Sequence, residues 1–589
     1  MSNDEIVEIL ELTTKLLELH DADTFKIRTY SSAAFNLSRL NDQELATLST
    51  AALTQLPGVG KSMAAKIQEI VQTGRLNELE QLMAQTPVGV LDMFKIKGIG
   101  AKKIGTIWRQ LGIDTIAGLQ EACETGQIAK LKGFGESTQQ KILASMAFLQ
   151  SQMGKVRMDK AAILAELIRD ELQKYFPKVV ITGEVARKNE TVETIQVLVG
   201  TESPVAAIRQ INEIGWLLQN EKISSPFTWR GKIVDRSTTT ELPPQGEEVE
   251  QKKTLEIQVE IVFVYPDKFE SERFILESTE AHLSHPTALG TSLLAVAYTN
   301  SREESAEAIY QKAGLPYVVP EMREGLGEFE WLTQHKNEDL ITWDALRGIL
   351  HNHSTYSDGK HSLEVMARYC QEVGFEYLGI ADHSQTASYA NGLRADRVKL
   401  ELEVIDRLNL ALATNASKPF KILKGIESDI LGDGSLDYPE EVLKTFDYVV
   451  ASVHSNLTMS LEKATGRLLA AVENPYTTIL GHPTGRLLLA REGYPIDHKV
   501  IIEACARHGV VIEINASPWR LDLDWRWIRY CMDKRVMLSI NPDAHQKEGY
   551  FDMHYGVNVA RKGGLTKEMT FNALSLAEIE AYLDKRKKG

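Results

Sequence analysis

The sequence predicts a multidomain protein with a helical N-terminal region, an α+β middle region and a C-terminal β/α barrel. Three observations predict this order. Glycine turns recur between short helical segments in roughly the first 150 residues, and period-two apolar runs such as LEIQVEIVFVY follow. Beyond residue 345, strand-like runs alternate regularly with helical segments. Such alternation favours parallel strands joined by crossover helices and closed into a barrel.

Composition narrows the class of protein. The chain has 589 residues and a formal net charge of -15, which suits a soluble protein of several domains. No signal-like or long apolar run occurs, so we expect neither secretion nor membrane contact. An acidic total does not exclude a nucleic-acid partner, because binding depends on local clusters of positive charge. The cysteines form no CxxC pair, which suits a reducing cytoplasm. They are Cys123, Cys370, Cys505 and Cys531.

Three glycine turns of one type occur in the N-terminal region. LPGVG, IKGIG and LKGFG begin at Leu56, Ile96 and Leu131, and each precedes a helical segment with basic or polar residues. Glycine lets the backbone approach a phosphate, and the amides of the next helix bind the anion. The pattern indicates helix-hairpin-helix motifs that bind DNA without sequence specificity; alternatively, each glycine pair only makes a tight helix connection. The predicted DNA-binding residues are Gly58, Gly60, Lys61, Gly98, Gly100, Lys102, Lys103, Gly133 and Gly135.

The pattern of apolar residues in the middle region is typical of strands that belong to one sheet. VVITGEVARKNETVETIQVLV and LEIQVEIVFVY both alternate apolar and polar residues, which predicts paired strands. The polar run 236–253 between them lacks apolar periodicity and predicts a mobile hairpin loop. A polar segment at about 334–345 predicts a linker before the C-terminal region.

Six short strings in the C-terminal region place a histidine or a carboxylate after a strand-like run. They are HNHSTYSDG, GIADHS, KGIESDI, ASVHS, ILGHPTGR and NPDAH. Side chains at the carboxyl ends of parallel barrel strands converge on one face. Imidazole and carboxylate without thiolate suit Mn²⁺, Zn²⁺ or Fe²⁺, and the number of ligands predicts two to three ions. Any one of these histidines alone is better explained by a structural role, but six strings in series predict a multinuclear metal site.

Closely spaced ions can activate water and stabilise charge on a phosphodiester. Arg486 follows the fifth string and Arg520 follows the run NASPW. Both are candidate phosphate contacts, because a guanidinium group matches the geometry of a phosphate. Asp382 and Asp429 are candidates for orienting a metal ligand.

The order of the strings resembles the polymerase and histidinol phosphatase (PHP) domain, and nearly the whole chain resembles a bacterial family X DNA polymerase with that domain at its C-terminus. The junction IYQKAGLPYVVPEMREGLGEFEW and RGILHNHSTYSDG is especially similar. The resemblance implies a distorted (β/α)7 barrel with a trinuclear site, in which Glu427 bridges two ions. The implied metal ligands are His351, His353, Asp358, His383, Glu427, His454, His482, Asp543 and His545. Among the predicted catalytic residues are Glu427, His383, Asp543 and Arg486.

The resemblance also divides the chain into domains. Residues 1–85 are a small helical DNA-binding domain, 86–154 a fingers-like helix-hairpin-helix domain, 155–268 a palm, 269–333 a thumb-like domain, 334–345 a linker and 346–589 the PHP phosphoesterase domain. TFKIRTYSSAA and LPGVGKSMAAKIQEI carry the similarity of the first domain. Lys66 falls where some family members carry a Schiff-base lysine; the alternative is a plain solvated helix lysine.

The palm departs from the family pattern. GEVARK stands where members carry a GSxRRG-type run that contacts phosphates, and Thr194, Gln196 and Glu260 occupy the positions of three magnesium-binding aspartates. Mg²⁺ requires hard anionic oxygen ligands. We therefore expect no Mg²⁺ in the palm and no nucleotidyl transfer, unless Glu190 or Glu193 substitutes from a neighbouring position.

The resemblance, with this departure, implies a cytoplasmic DNA-repair hydrolase. We expect a Mn²⁺-dependent 3′-to-5′ exonuclease or phosphoesterase whose inactive polymerase core binds gapped, nicked or 3′-ended DNA, and we expect a monomer. Abasic endonuclease or 3′-phosphatase activity and a preference for RNA stay open. Two alternatives remain: a bifunctional DNA polymerase and exonuclease, and a non-catalytic DNA-binding scaffold.

Overall fold

The computed structural model describes residues 3–38, 45–96, 99–234, 254–299, 305–415 and 419–588. Gly98 of the second glycine turn and the predicted loop 236–253 lie outside the described residues. The chain forms two compact units, Met1–Met153 and Gly154–Gly589. In the described ranges, no helix combines the length and the apolar character needed to cross a bilayer.

The first unit is helical, and its core is built from apolar side chains at helical spacing. Ile6, Leu10 and Leu17 of the first helix are buried, as are Ile67 and Ile70 of a later one. Spacing of three, four or seven residues places such side chains on one face of a helix. The α-helices are Asn3–Leu19, Thr24–Leu37, Thr50–Leu53, Lys61–Thr73, Asn77–Ala84, Val88–Asp92, Ala101–Leu111, Ile116–Glu124 and Gly135–Gln152.

The second unit begins with an α+β segment. In spatial order its main sheet contains Lys178–Thr182, Thr194–Gly200, Thr254–Val264, Thr228–Val234 and Leu217–Gln219. The pair Thr194–Gly200 and Thr254–Val264 is parallel, and the other neighbours are antiparallel. Val156–Arg157 and Thr191–Val192 form a separate small ladder. The helices of this segment are Met158–Leu172, Gly183–Ala186 and Pro204–Asn212.

A small helical segment follows, and it is centred on a buried polar group. His282 Nδ1 lies 2.5 Å from Glu328 Oε1, and His282 Nε2 lies 2.7 Å from the Tyr310 hydroxyl. These contacts satisfy polar groups that burial would otherwise leave unpaired. The α-helices of this segment are Phe269–Leu276, Glu280–Leu283, Leu293–Tyr298, Ala306–Ala313 and Glu328–Trp331.

The C-terminal segment contains two parallel sheets. In spatial order, the first sheet contains the strands Gly348–Ile349, Tyr377–Gly379 and Lys421–Leu423. The second sheet contains the strands Gly425–Asp429, Tyr448–Ser452, Ile479–Leu480, Val511–Asn515 and Leu538–Asn541. Lys424 alone separates Lys421–Leu423 from Gly425–Asp429. Parallel bridges Asn352–Ala544 and His383–Glu427 join the two sheets. The carboxyl ends of these strands therefore come together.

Helices alternate with these strands in the sequence. The strand Val511–Asn515 is buried along its whole length, as expected when a parallel sheet is covered on both faces. Ser362, Ser460 and Asp497 cap three of the helices by accepting backbone N–H groups. The helices are Leu363–Val373, Ala395–Asn415, Glu440–Leu443, Leu461–Glu473, His498–His508, Ile528–Asp533, Met553–Lys562 and Leu576–Lys588.

Ion pairs and hydrogen bonds join the segments of the second unit. The buried ammonium of Lys562 pairs with Glu324 and donates to the Arg187 carbonyl over 2.9 Å. The indole N–H of Trp525 donates to Glu190 over 3.0 Å. The predicted linker also packs here, since the Ile341 amide donates to the Leu565 carbonyl over 2.9 Å. The middle and C-terminal segments of the chain thus form one compact unit.

Candidate metal centre

The predicted metal ligands meet at the carboxyl ends of the parallel strands. His351 and His353 follow Gly348–Ile349, His383 follows Tyr377–Gly379 and Glu427 lies within Gly425–Asp429. Most of the other ligands follow Tyr448–Ser452, Ile479–Leu480 and Leu538–Asn541 in the same way. They are His454, His482, Asp543 and His545, and Asp358 lies on the loop after His353.

Three groups of side chains each have ligand atoms within 4.8 Å of one another. The groups share members, because His353 belongs to two of them and His383 to two. Shared members place the groups side by side, as in a multinuclear centre. The groups are His353, Asp358, His383 and His545; His351, His353 and Asp543; and His383, Glu427 and His454.

Glu427 lies at the junction of these groups and is fully buried. Its Oε1 lies 3.3 Å from His351 Nε2, 3.2 Å from His454 Nε2 and 3.1 Å from His482 Nε2. Its Oε2 lies 3.0 Å from His383 Nδ1. Both oxygens therefore face imidazole nitrogens, an arrangement in which a carboxylate can bridge two cations.

Several buried atoms of the cluster have no hydrogen-bond partner. They are His351 Nε2, His353 Nδ1, His383 Nδ1, Glu427 Oε2 and His482 Nδ1. An unpaired buried polar atom costs free energy of about 1–3 kcal/mol, so a native protein normally satisfies it. A cation would satisfy the atoms of His351, His353, His383 and Glu427, which belong to the three groups, whereas His482 belongs to none of the groups and faces Glu427 through Nε2. The imidazole and carboxylate donors suit Mn²⁺, Zn²⁺ or Fe²⁺. The side chains of the cluster are therefore suited to hold metal ions.

The electrostatics of the cluster also favour a cation. Burial lowers the pKa of His353 to about 4, which keeps this imidazole in the neutral form that binds metals. Burial opposes charge on Glu427, but His454 and His351 beside it hold its pKa well below the usual range. Burial likewise opposes charge on His454, yet Glu427 and Asp429 raise its pKa to about 10. The carboxylates thus stay ionised and attract positive charge.

A second layer of buried polar residues supports the ligands. Glu513 accepts hydrogen bonds from His351 Nδ1 over 2.7 Å, from the His482 amide over 2.8 Å and from Asn541 Nδ2 over 3.0 Å. Asn515 Nδ2 donates to Asp543 Oδ2 over 3.0 Å. Sequence reasoning missed these residues. A signal was present, because Glu513 is an ionisable residue inside the otherwise apolar run VVIEI.

The two aspartates predicted to orient ligands have different contacts. Asp429 Oδ1 lies 2.5 Å from His454 Nδ1, so it holds a ligand directly. Asp382 instead accepts from the backbone amides of Ser354 and Ser357, over 2.9 and 3.1 Å. It therefore holds the loop between His353 and Asp358 rather than a ligand side chain.

The two predicted phosphate-binding arginines also differ in position. Arg486 donates to the Arg520 carbonyl over 2.9 Å, to Asp524 over 2.8 Å and to the Leu521 carbonyl. Its guanidinium group is therefore occupied by the loop that carries Arg520. Arg520 itself extends to the cluster, where its Nε lies 3.5 Å from Asp543 Oδ2.

Comparison with known proteins identifies the family of three regions of the chain. Residues 350–517 match the PHP domain family, residues 1–76 match a helix-hairpin-helix domain and residues 90–146 match a SAM-like helix-hairpin-helix tandem. The chain is 32% identical to the DNA polymerase/3′-5′ exonuclease PolX of Bacillus subtilis (strain 168). The alignment spans 595 residues and covers 99% of each chain. The chain belongs to the PolX family of family X DNA polymerases.

Two further relatives of this PolX-family chain match only part of it. A probable phosphatase of Caldanaerobacter subterraneus subsp. tengcongensis is 37% identical over 193 residues, covering 31% of this chain and 72% of the relative. A probable phosphatase of Thermoanaerobacter sp. (strain X514) is 28% identical over 190 residues, covering 31% and 75%. The comparisons confirm the predicted helix-hairpin-helix region and the C-terminal PHP domain.

The glycine turns of the PolX-family N-terminal unit have two geometries. Gly60 and Gly100 are extended residues that immediately precede the helices Lys61–Thr73 and Ala101–Leu111. In the third turn, Gly133 and Gly135 have φ values of +89° and +74°, which favour glycine. The space around the predicted glycines is open where it is described, since a Cβ atom at Gly60, Gly100, Gly133 or Gly135 would meet nothing within 4 Å.

The lysines beside these turns are accessible. Lys61 and Lys102 are exposed in the first turns of their helices. Lys103 is half-buried, and its ammonium lies 5.4 Å from the centre of the Phe134 ring. Gly58 has a φ of +77°, and a Cβ atom there would lie 2.5 Å from Asn36 Nδ2, so this position requires glycine.

Lys66 has close acidic and phenolic neighbours. Its ammonium forms an ion pair with Glu78 and lies 2.5 Å from the Tyr30 hydroxyl. Lys26 also pairs with Glu78. An ion pair stabilises the charged form of an amine, whereas a Schiff-base lysine must react as the neutral form. These contacts favour a structural role for Lys66.

Gln196 and Glu260, two of the positions at which the sequence predicts that a magnesium site has been lost, belong to a row of polar side chains across the main sheet of the α+β segment. Thr182 Oγ1 donates to Gln196 Oε1 over 3.1 Å, and Gln196 Nε2 donates to Glu260 Oε1 over 2.6 Å. Arg230 Nε donates to Glu260 Oε2 over 2.6 Å. The residues are direct partners in the strand register. Both oxygens of Glu260 are therefore occupied by protein donors.

The neighbouring carboxylates of the α+β segment have partners as well. Glu184 Oε2 accepts from the backbone amides of Glu193 and Thr194, over 2.7 and 3.2 Å. Glu190 accepts from Trp525, and Glu193 pairs with Lys155 over 3.1 Å. Thr194, which the sequence predicts to stand at the position of a magnesium-binding aspartate, presents a hydroxyl.

Proposed function

We propose that this chain is a metal-dependent 3′-to-5′ exonuclease or related phosphoesterase of DNA repair, and that its palm does not transfer nucleotides. The observation that carries the proposal is the cluster around Glu427, in which buried donor atoms lack partners within groups of ligand atoms 4.8 Å across. The relatives support it, because the full-length relative is named a polymerase and 3′-5′ exonuclease and the partial relatives are named probable phosphatases.

We assign two to three Mn²⁺ ions to the cluster, with Zn²⁺ and Fe²⁺ as alternatives. Their proposed ligands are His351, His353, Asp358, His383, Glu427, His454, His482, Asp543 and His545. Such ions, when bound, polarise phosphoryl oxygens and lower the pKa of water. The pairing of carboxylates with neutral imidazoles suits these ions of intermediate hardness.

The protein's own groups would position the phosphodiester. Arg520, 3.5 Å from Asp543, would donate to a nonbridging phosphate oxygen at the edge of the cluster. Arg486 would hold the loop on which Arg520 is carried, through the carbonyls of Arg520 and Leu521. Asn515 would orient Asp543, and Glu513 would orient His351. Arg486 is thus a positioning residue in this proposal.

The proposed loss of polymerase activity rests on the contacts of Glu260. Arg230 neutralises this carboxylate, and Gln196 occupies its other oxygen. A Mg²⁺ ion would have to displace both donors and find further anionic ligands, which Thr194 and Gln196 cannot supply. Glu184, Glu193 and Arg187 line an adjacent cavity of about 330 Å³, so a triphosphate there would meet two carboxylates and one guanidinium group.

The proposed partner is gapped, nicked or 3′-ended DNA, bound by a monomer through backbone contacts. The open glycine turns and the lysines Lys61 and Lys102 support binding without sequence specificity. The described cysteines are all buried free thiols, which suits the reducing cytoplasm of a bacterium.

One experiment separates this proposal from a bifunctional polymerase, which the name of the full-length relative supports. The purified chain is incubated with a 5′-labelled primer on a gapped template, dNTPs and either Mg²⁺ or Mn²⁺. We expect the primer to be shortened with Mn²⁺ and not extended with either ion. Extension of the primer would overturn the inactive palm.

A second comparison separates the proposal from a non-catalytic scaffold. His353→Ala and Asp543→Ala each remove a ligand shared by the cluster, and we expect both to abolish Mn²⁺-dependent shortening while DNA is still retained. His508→Ala, which changes an exposed histidine outside the cluster, is the matched control and keeps activity. Equal activity in all three variants would refute the catalytic assignment.

A further inference from the structure

Trp519 carries a large exposed ring on the loop from which Arg520 reaches the metal-ligand cluster. Its side chain is 50% exposed, although tryptophan is usually well buried in folded proteins. It immediately precedes Arg520, whose Nε lies 3.5 Å from the cluster residue Asp543. An exposed indole at this place has no role in the metal site or in the core described above.

One face of the Trp519 ring is covered by the palm. The guanidinium carbon of Arg157 lies 3.6 Å from the centre of the indole. Arg157 belongs to the short strand Val156–Arg157 and pairs with Asp159 over 3.0 Å. Because Arg157 covers one face while half of the side chain stays exposed, the exposure comes from the other face and the ring edges. A cation over one face also holds the ring in place.

The loop that carries Trp519 is fixed by backbone contacts. The Trp519 carbonyl accepts from the Leu488 amide over 2.6 Å, and the Arg520 amide donates to the Ser517 carbonyl over 2.8 Å. Arg486 holds the Arg520 carbonyl from the other side, over 2.9 Å. A ring on such a loop loses little conformational entropy when a ligand binds it.

We propose that Trp519 stacks on the base of the nucleotide whose phosphate is bound by Arg520 and the metal centre. Consecutive Cα atoms are about 3.8 Å apart, so adjacent residues can contact the base and the phosphate of one nucleotide. Stacking on an aromatic ring accepts every base, which suits an enzyme without sequence preference. The inference rests on the proposed phosphoesterase function, and it makes nucleotide chains better substrates than phosphoesters that lack a base.

The test compares two single-stranded oligonucleotides that differ only in the 3′-terminal residue, thymidine in one and abasic tetrahydrofuran in the other. We expect wild-type protein with Mn²⁺ to prefer the base-bearing end by about tenfold in kcat/KM, mainly through KM. Trp519→Ala reduces this preference to about one, and Trp519→Phe, which keeps a stacking ring, retains most of it. Tyr298→Ala removes a ring that is 63% exposed in the helical segment after the palm, and keeps the wild-type preference.

The possible failures are distinguishable. If the wild-type protein shortens neither oligonucleotide, the proposed function is wrong. If it shortens both equally well, or if Trp519→Ala keeps the preference, the stacking role is overturned while the hydrolytic function stands. If the alanine variant does not fold, Trp519→Leu, which keeps an apolar side chain but no stacking ring, takes its place, and a wild-type preference in that variant overturns the stacking role.

Discussion

Glu513 accepts a hydrogen bond from Nδ1 of His351 over 2.7 Å, and both side chains are fully buried. Because Nδ1 is held by Glu513, Nε2, which makes no hydrogen bond and lies 3.3 Å from Glu427 Oε1, is the nitrogen that faces the cluster. Glu513 thus orients a predicted metal ligand that lies 162 positions away in the sequence.

This relationship predicts the effect of changing Glu513. Glu513 accepts hydrogen bonds from four donors, including the His482 amide, and in Glu513→Gln an NH₂ group replaces one of the two acceptor oxygens. We expect Mn²⁺ affinity to fall by about 10- to 100-fold, measured by calorimetric titration of the apoprotein. Glu503→Gln on an exposed helix face is the control and binds Mn²⁺ like wild type. Unchanged affinity in Glu513→Gln would show that the second layer does not orient His351.

Metal binding should stabilise the second unit against heat. A ligand that binds only the folded state adds about 2.7 kcal/mol when its concentration is 100 times its Kd. We therefore expect Mn²⁺ to raise Tm and a chelator to reverse the rise, measured by differential scanning calorimetry. Glu427→Gln, which changes the central carboxylate, should largely abolish the Mn²⁺-dependent increase. A Tm that does not respond to Mn²⁺ in the wild-type protein would argue against the site.

The lysines of the glycine turns should contribute to DNA affinity through phosphate contacts. Lys61→Ala and Lys102→Ala each remove one exposed cation beside an open turn. We expect each to weaken binding equally across DNA sequences and to reduce the slope of log affinity against log salt by about 1, measured by fluorescence anisotropy. Lys15→Ala, on an exposed helix position away from the turns, leaves the slope unchanged. A change that depends on DNA sequence would contradict backbone recognition.

Glu78 should make the first unit's stability depend on pH. Burial opposes its charge, but Lys26, Lys66 and Tyr30 lower its pKa to about 2. A lowered pKa stabilises the fold above the unfolded value of about 4.5, and this stability is lost as pH falls toward 2. Amides of the helix Lys61–Thr73 should therefore exchange faster in Glu78→Gln than in wild type at pH 7.

Hydrogen exchange measured by mass spectrometry, corrected for intrinsic rates, tests this pH dependence. The difference between Glu78→Gln and wild type should narrow as pH falls from about 4.5 toward 2, because the wild-type carboxyl then becomes protonated. The matched control is Glu80→Gln, which changes a more exposed acid on the helix Asn77–Ala84 that also carries Glu78. A difference that stays constant over this range would mean that the ionised form of Glu78 is not what stabilises the helix.

The convergence of the candidate metal ligands was largely predictable from the sequence, because it depends on residue type and on position at strand ends. The strings around His351, His383 and Glu427 each follow an apolar run, and parallel strands bring their carboxyl ends together. The helix-hairpin-helix turns were predictable for a similar reason, since the positive φ at Gly58 and Gly133 favours glycine and leaves a local mark.

The sequence by itself determined which residue types are present and in what order. Only the tertiary structure decided that Arg486 holds a loop while Arg520 reaches Asp543, and that Arg157 of the α+β segment lies against Trp519. It also decided that Arg230 neutralises Glu260. These relationships join segments that are distant in the chain and have no periodicity in common. They arise when packing brings the segments together, so no local pattern records them.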